Sequence, residues 1–415
     1  MIFYKYSIVY VPEIIIFTFK KTKCLNPNQS LTMATIDKSN PVNRVLSLDV
    51  FRGLTIATMI LVNNPGNRKY TYTQLDHSEW NGCTVTDLVF PFFLFIIGVS
   101  IFFALDSKKS TIPSSTLIFA ATRRALILFG LSLFLFLFPK VFVDPLEALR
   151  TVRVEGVLER IAIVYFVCTI IFIKTTIKTQ LKLMILFLIV YWAMITFIPV
   201  PGVGHPNMGT DTNLVAWLDQ IILTPSHLLH GTWDPQGILS NIPAFSTTLL
   251  GILTGYLLKR KDLAAGDKVS WIFTIGVGCT IIGLLWDSSF PINKLLWTSS
   301  YVLYAGGLAS IGLALCYWLI DVQGYSRWTM PFVAFGRNAI TIYFLSELIP
   351  RILDMIKIST ADGKTTTLRS GFAKMVINPL FSSPYNASLA HGITYVLFFF
   401  IIAWWMYRKN IIVKI

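Results

Sequence analysis

The residues best suited to chemistry fall in one stretch, Leu48 to Ser100. It carries Asp49 and Arg52, then Asn63, then a polar segment with Asp76, His77, Ser78, Glu79, Trp80 and Asn81. Asp87 follows inside an otherwise apolar run. A charged group within a lipid-spanning helix is costly unless it is paired or faces a wet cavity. Asp49, Arg52 and Asp87 therefore point to a polar interior site with His77 at its edge. A histidine has an ordinary pKa of about 6.5, so it can be neutral near pH 7 and accept a proton. Asp49 and Arg52 are spaced to share a helix face, which a structural ion pair would also explain.

These residues need membrane helices to position them. The chain has 415 residues, of which 54% are hydrophobic and 13% charged. Soluble domains carry about 25% charged residues. With a mean hydropathy of +0.64, the fold class is all-α, a polytopic membrane protein of about ten transmembrane helices. The expected spans are 47–63, 84–105, 121–138, 155–173, 181–198, 242–258, 269–286, 297–320, 329–349 and 387–407. The net charge of +14 reads as topology, with no nucleic-acid motif. Lys108, Lys109, Arg123 and Arg124 lie after span two, Lys174, Lys178 and Lys182 after span four, and Lys259, Arg260, Lys261 and Lys268 after span six. The 199–241 connection has no Lys or Arg. The positive-inside rule then predicts cytoplasmic termini and an outer-face His77. Cys24, Cys83, Cys168, Cys279 and Cys316 show neither disulfide nor metal spacing. The histidines and aspartates of 199–241 are too irregular for a metal site, so no metal is expected. Residues 1–43 read as an N-terminal cytoplasmic segment. Met33 opens an ordinary lead-in, so 1–32 are expected to be untranslated.

The motifs resemble those of the heparan-alpha-glucosaminide N-acetyltransferase family of transmembrane acyltransferases. Asp49, Phe51, Arg52 and Gly53 match a D-x-F-R-G helix that ends in V-N at Val62 and Asn63. His77, Trp80, Asn81 and Gly82 match H-x-x-W-N-G, and Thr84, Asp87, Leu88, Val89, Phe90 and Pro91 match T-x-x-D-L-V-F-P. The resemblance runs over about 44–410, the expected acyltransferase domain. It includes G-V-L-E-R at 156–160, D-P-Q-G from Asp234, the Pro291–Tyr301 stretch and F-G-R-N from Phe335. Glu159 and Gln236 depart from the family's Gln and Glu. The chain before span one is too short for the luminal domain of the lysosomal enzyme, so a bacterial-type homologue in the cytoplasmic (inner) membrane is expected.

The resemblance implies acetyl-CoA as donor and terminal glucosamine, or a related amino sugar, as acceptor. His77 lies where the family's catalytic histidine lies. It either deprotonates the amine for direct attack on the thioester or is itself acetylated and then resolved by the amine. Asn63 or Asn81 can donate to the developing oxyanion. Asp76, Glu79 or Asp87 can orient the imidazole. Arg153, Arg160 and Lys294 are candidates for the CoA phosphates, and Asn338 for the donor path or as a tie between helices. Trp80, Asn81 and Asp234 are candidates for the acceptor. The expected partners are a glycan or amino sugar and the lipid bilayer; a homodimer is left open. The alternatives are a proton-coupled secondary transporter, using Asp87, Glu159 and Arg160, and an O-acyltransferase of a cell-envelope glycan. The missing inverted repeat weighs against transport.

Overall fold

A computed structural model describes residues 45–359 and 365–413. The expected 1–43 segment and the Met33 start lie outside the described residues. The chain runs through α1 (Leu46–Asn63), α2 (Val85–Lys109), α3 (Ser114–Leu137), the short α4 (Pro145–Arg150), α5 (Val157–Lys174) and α6 (Ile177–Phe197). It continues through α7 (Leu214–Leu223), α8 (Asn241–Lys259), α9 (Ala265–Asp287), α10 (Ser299–Tyr317), α11 (Met330–Arg337) and α12 (Ala339–Met355). An antiparallel hairpin of β1 (Lys357–Ser359) and β2 (Thr365–Thr367) leads to α13 (Leu368–Phe372) and α14 (Pro384–Arg408). Among the described residues, 8 helices are long and apolar enough to cross a membrane, or 9 if the bent pair α11–α12 is one span. Helix α5, 18 residues long and carrying Glu159, Arg160 and Lys174, corresponds to the remaining expected span. The protein is an all-α polytopic membrane protein.

Small residues set the closest helix crossings. A Cβ on Gly98 of α2 would lie 2.0 Å from the Thr248 carbonyl oxygen, and one on Gly251 of α8 would lie 2.0 Å from that of Phe95. Without a hydrophobic drive between helices in lipid, such close backbone approach is a main source of association. The Thr248 hydroxyl donates to the Leu94 carbonyl at 3.1 Å in the same crossing. Together these contacts fix α2, and hence Asp87 at its start, against the centre of the bundle.

The helices alternate in direction, so the connections sort to two ends. At one end, the Lys109 ammonium meets the carbonyls of Phe172 and Thr175, and Lys259 pairs with Asp106 at 2.7 Å. At the same end Asp321 caps α1 through the Leu46 and Ser47 amides. His77 and the segments 199–241, 288–298, 356–359 and 365–383 gather at the other end. The basic loops that follow α2, α5 and α8 are thus opposite His77, while Lys357, Arg369 and Lys374 share its end.

One expectation of local structure needs correction. Span 329–349 is not continuous: the chain turns by 81° between α11 and α12. Asn338 sits at the break with non-helical φ −123° and ψ 37°. Its amide donates to the Ile411 carbonyl at 2.8 Å and accepts from the Val413 amide at 3.0 Å. Asn338 therefore holds the chain that follows α14. Asp87 lies in the first turn of α2, as a span beginning at Thr84 implies. Its carboxylate accepts from the backbone N–H of the N-cap, Thr84, at 3.1 Å, the return half of a capping box.

Candidate active site

The site is built on the start of α2. One oxygen of Asp87, Oδ2, accepts from the Ser78 amide at 3.0 Å and from the Thr84 amide and hydroxyl at 3.1 Å each. The other, Oδ1, lies 2.7 Å from His77 Nδ1. A buried carboxylate with one oxygen fixed by three donors presents the second in a set direction. The imidazole is thus held to the carboxylate through Nδ1, with Nε2 on the other side of the ring. The His77 side chain is 43% exposed and that of Asp87 1%. The imidazole thus meets solvent while the carboxylate beside it does not.

Lys294 completes the cluster. Its ammonium is 3.2 Å from Asp87 Oδ1 and 3.0 Å from His77 Nδ1. Burial pushes the Lys294 pKa below its ordinary value, and the Asp87 charge and hydrogen bond pull it back. The lysine is positioned by a tight turn. Asn293 Oδ1 accepts from the Leu296 amide at 2.8 Å, and the Thr298 hydroxyl donates to the Pro291 carbonyl at 2.9 Å. Trp297 adopts φ 54°, a left-handed conformation rare for a bulky side chain. Such strain persists only where the surroundings over-determine it, and here Trp297 is buried between Phe90 and Tyr301. Gly82 pairs with this turn, donating its amide to the Ile292 carbonyl at 2.7 Å from φ 102°.

Pro91 has no N–H, so the Asp87 carbonyl loses its helical partner. The Tyr301 hydroxyl donates to that carbonyl at 2.6 Å. The Cys83 thiol beside the site is pushed up to about 12, first by burial and then by the Asp87 charge, which makes it an unreactive thiol near neutral pH.

The remaining sequence candidates fall into three groups. Around His77, the Asn81 amide oxygen accepts from Asn293 at 3.1 Å, and the Trp80 indole donates to the Met208 carbonyl at 2.9 Å. Trp80 also meets Trp233 edge-on at 5.4 Å, and His230 stacks on Trp233 at 4.3 Å. This aromatic group joins the 199–241 segment to the His77 loop. Asn63 turns away: its amide donates to Glu347 of α12 at 3.2 Å.

The second group is the buried polar cluster at the start of α5. Arg153 grips Asp234 through two bonds, one of 2.6 Å from Nε to Oδ2, and also contacts Gln236. Arg160 donates to Ser240 and to the Gly237 carbonyl, and lies over the Trp297 ring at 4.9 Å. Its Nε and Nη1 are buried without a hydrogen-bond partner among the described residues. Glu159 accepts from Ser132 rather than pairing with Arg160. Asp219 of α7, beside Gly237, is pushed up to about 7, mainly by burial. The charge that drew the sequence reading to Arg153 and Lys294 is thus neutralised by Asp234 and Asp87. A donor phosphate at either lysine or arginine must displace a carboxylate.

The third group is Asp49 and Arg52, which pair at 3.0 Å. Arg52 also donates to Ser100 at 2.8 Å. This pair ties α1 to α2 at the end opposite His77.

Lys294 beside His77, Tyr301 and the Thr84 cap were not read from sequence as parts of one site. For Thr84 a signal existed: T-x-x-D ahead of an apolar run is a capping-box pattern. For Lys294 none did, because its partners lie 207 and 217 residues away.

A family profile described as the catalytic region of heparan-alpha-glucosaminide N-acetyltransferase matches residues 44–284. Heparan-alpha-glucosaminide N-acetyltransferase of Mus musculus is 30% identical over 368 residues, 75% of this chain and 54% of the mouse protein. The Homo sapiens protein of that name is 30% identical over 360 residues, 74% of this chain and 53% of the human one. The chain spans about half the length of the curated relatives it matches.

Proposed function

Since the chain belongs to the heparan-alpha-glucosaminide N-acetyltransferase family, we propose that it is a transmembrane acyltransferase that moves the acetyl group of acetyl-CoA to an amino sugar. The acceptor is the amino group of a terminal glucosamine or a related sugar, met at the His77 end of the bundle. The observation that carries this reading is the 2.7 Å contact between His77 Nδ1 and Asp87 Oδ1, which leaves a solvent-facing Nε2 able to take a proton. The concentration of basic loops at the other end supports cytoplasmic termini and an outer-face site.

An amine in water is protonated and must lose that proton before it attacks a thioester. In direct transfer, His77 Nε2 takes the proton, the C–N bond forms and the C–S bond breaks, and the thiolate of CoA leaves with a proton. In the relay, Nε2 attacks first, CoA leaves, and the amine resolves the acetyl-imidazole. The Lys294 ammonium, held by Asp87 Oδ1 at 3.2 Å, sets a fixed positive charge beside Nδ1 in either route. Asn81, with its amide at the same loop, suits oxyanion contact better than Asn63, whose amide already donates to Glu347. Trp80 and Asn81 suit acceptor contact beside His77. Asp234, bound to Arg153, suits a latch on the 199–241 segment better than direct contact with the sugar. For the donor, Arg160 retains N–H groups without a partner among the described residues, which favours it over Arg153, Lys294 and Asn338.

The test is transfer of labelled acetyl from acetyl-CoA to glucosamine by the purified chain. His77→Ala should lower turnover by about 10² or more, the contribution of a lost general base, with folding and CoA binding near wild type. Near-wild-type turnover in that variant refutes both roles given to His77. Acetyl-CoA alone then separates the routes, since only the relay leaves an acetylated histidine.

A further inference from the structure

Away from His77, a cavity of about 340 Å³ opens at the same end of the bundle, between the 66–70 turn and the 370–388 segment. That volume lies at the lower end of small-ligand sites. Asn67, Tyr70, Ser370, Lys374, Asn378 and Ser382 supply its polar lining, and Lys374 is its only charged residue among the described residues. Its walls are held in place: Asn67 and Ser388 exchange hydrogen bonds at 3.1 and 3.0 Å, and Gly371 of α13 packs directly on Ile358 of β1. The side-chain donors of Tyr70, Ser370, Lys374 and Ser382 make no hydrogen bond to another described residue.

The rim has the opposite character. Phe372, Met375, Val376, Leu380 and Phe381 are exposed on the same short run of chain, Leu380 by 73%. An apolar ridge of this size beside a lysine, where spanning helices emerge, belongs at the boundary between acyl chains and headgroups. A soluble sugar would have to cross that ridge. The Tyr70 ring offers it little, because Tyr385 packs against it at 5.7 Å and Lys69 sits over its face. A cation, several free hydroxyl and amide donors, and no carboxylate among the described lining residues match a phosphate.

We propose that this cavity binds the phosphate head of an anionic membrane lipid, with its acyl chains lying along the Phe372–Phe381 ridge. The inference does not depend on acetyl transfer. Phosphatidylglycerol and phosphatidylcholine share a phosphate but differ in net charge, so they make the comparison. The purified full chain, in nanodiscs holding equal amounts of both, is released and its retained lipid read by native mass spectrometry. Phosphatidylglycerol should be retained about tenfold over phosphatidylcholine, the size of one charge-assisted hydrogen bond. Lys374→Ala should bring the ratio near unity, Lys374→Arg should restore it, and Lys357→Ala, on the neighbouring hairpin, should leave it unchanged. Equal retention of both lipids, or a ratio indifferent to Lys374→Ala in a monodisperse variant, overturns the proposal. Displacement by excess inorganic phosphate overturns the lipid and leaves a free-anion site. Displacement by glucosamine makes the cavity a sugar subsite instead.

Discussion

Lys294→Met tests the electrostatics of the site most directly. It removes an ammonium that lies 3.0 Å from His77 Nδ1 and 3.2 Å from Asp87 Oδ1, and it keeps an unbranched side chain of similar length. Two unit charges ~4 Å apart interact by about 1 kcal/mol at the permittivity of water and about 4 kcal/mol at an effective value of 20. The His77 side chain is 43% exposed, so the lower part of that range applies, about 1–2 kcal/mol, or about tenfold in rate. Without the ammonium, Asp87 Oδ1 keeps only its His77 contact, and the pair is held less firmly. The value of kcat/KM should therefore fall by about tenfold. Asp87 keeps its bonds from Ser78 and Thr84, so folding should hold, which a thermal melt checks. The assay is acetyl transfer to glucosamine at constant pH, with Lys294→Arg as the variant that keeps the charge. Unchanged kcat/KM in Lys294→Met would show that the ammonium does not act on the pair, and an equal loss in Lys294→Arg would show that its charge is not what matters.

Asp87→Asn and Asp87→Ala should separate two roles of one carboxylate. Both should lower turnover by about 10² or more through loss of the orienting charge. Alanine should also lower the melting temperature, since a lost cap costs about 1 kcal/mol, while asparagine retains an acceptor for Thr84. Arg153→Ala leaves Asp234 buried without its cation and should destabilise the fold by about 3–5 kcal/mol; a melting temperature within a degree or so of wild type would contradict the latch. Asp219 has a folded pKa raised from 3.8 to about 7, so its stabilising contribution is complete below the unfolded value and lost as pH rises through the folded one. The wild type should therefore melt lower at about pH 8 than at pH 5. Asp219→Asn, which keeps an oxygen for the Ile238 amide, should flatten that decline.

The sequence made the fold class legible because span length and loop charge are local properties. Each expected span has a helix, yet the turn at Asn338 was not visible: F-G-R-N-A-I reads as continuous helix unless the tail that bonds Asn338 is known. His77 and Asp87 stand out in the sequence as candidates by type and spacing, and the fold brings them into contact. The bonds that fix Asp87 were not legible, because its reading as an intramembrane charge did not include the cap at Thr84. Arg153 and Lys294 illustrate the larger limit. A cation in a sequence suggests an anion to bind, but only the fold reveals that Asp234 and Asp87 already supply it. For Asn63 the sequence offers an amide at the end of α1, but its side-chain direction depends on Glu347, 284 positions later.

The way the cluster draws on the chain has a consequence for biosynthesis. His77 and Asp87 emerge early in translation, joined by the cap that starts α2. Lys294 arrives 207 residues after Asp87, on a turn ordered only when Trp297 can bury itself between Phe90 and Tyr301. Until α10 has inserted, the nascent chain holds the histidine and its carboxylate without the ammonium or the tyrosine that seals the Asp87 carbonyl. Completion of the site is therefore timed by membrane insertion of the second half of the bundle, and products released before residue 294 should be catalytically silent even where their first helices are in place.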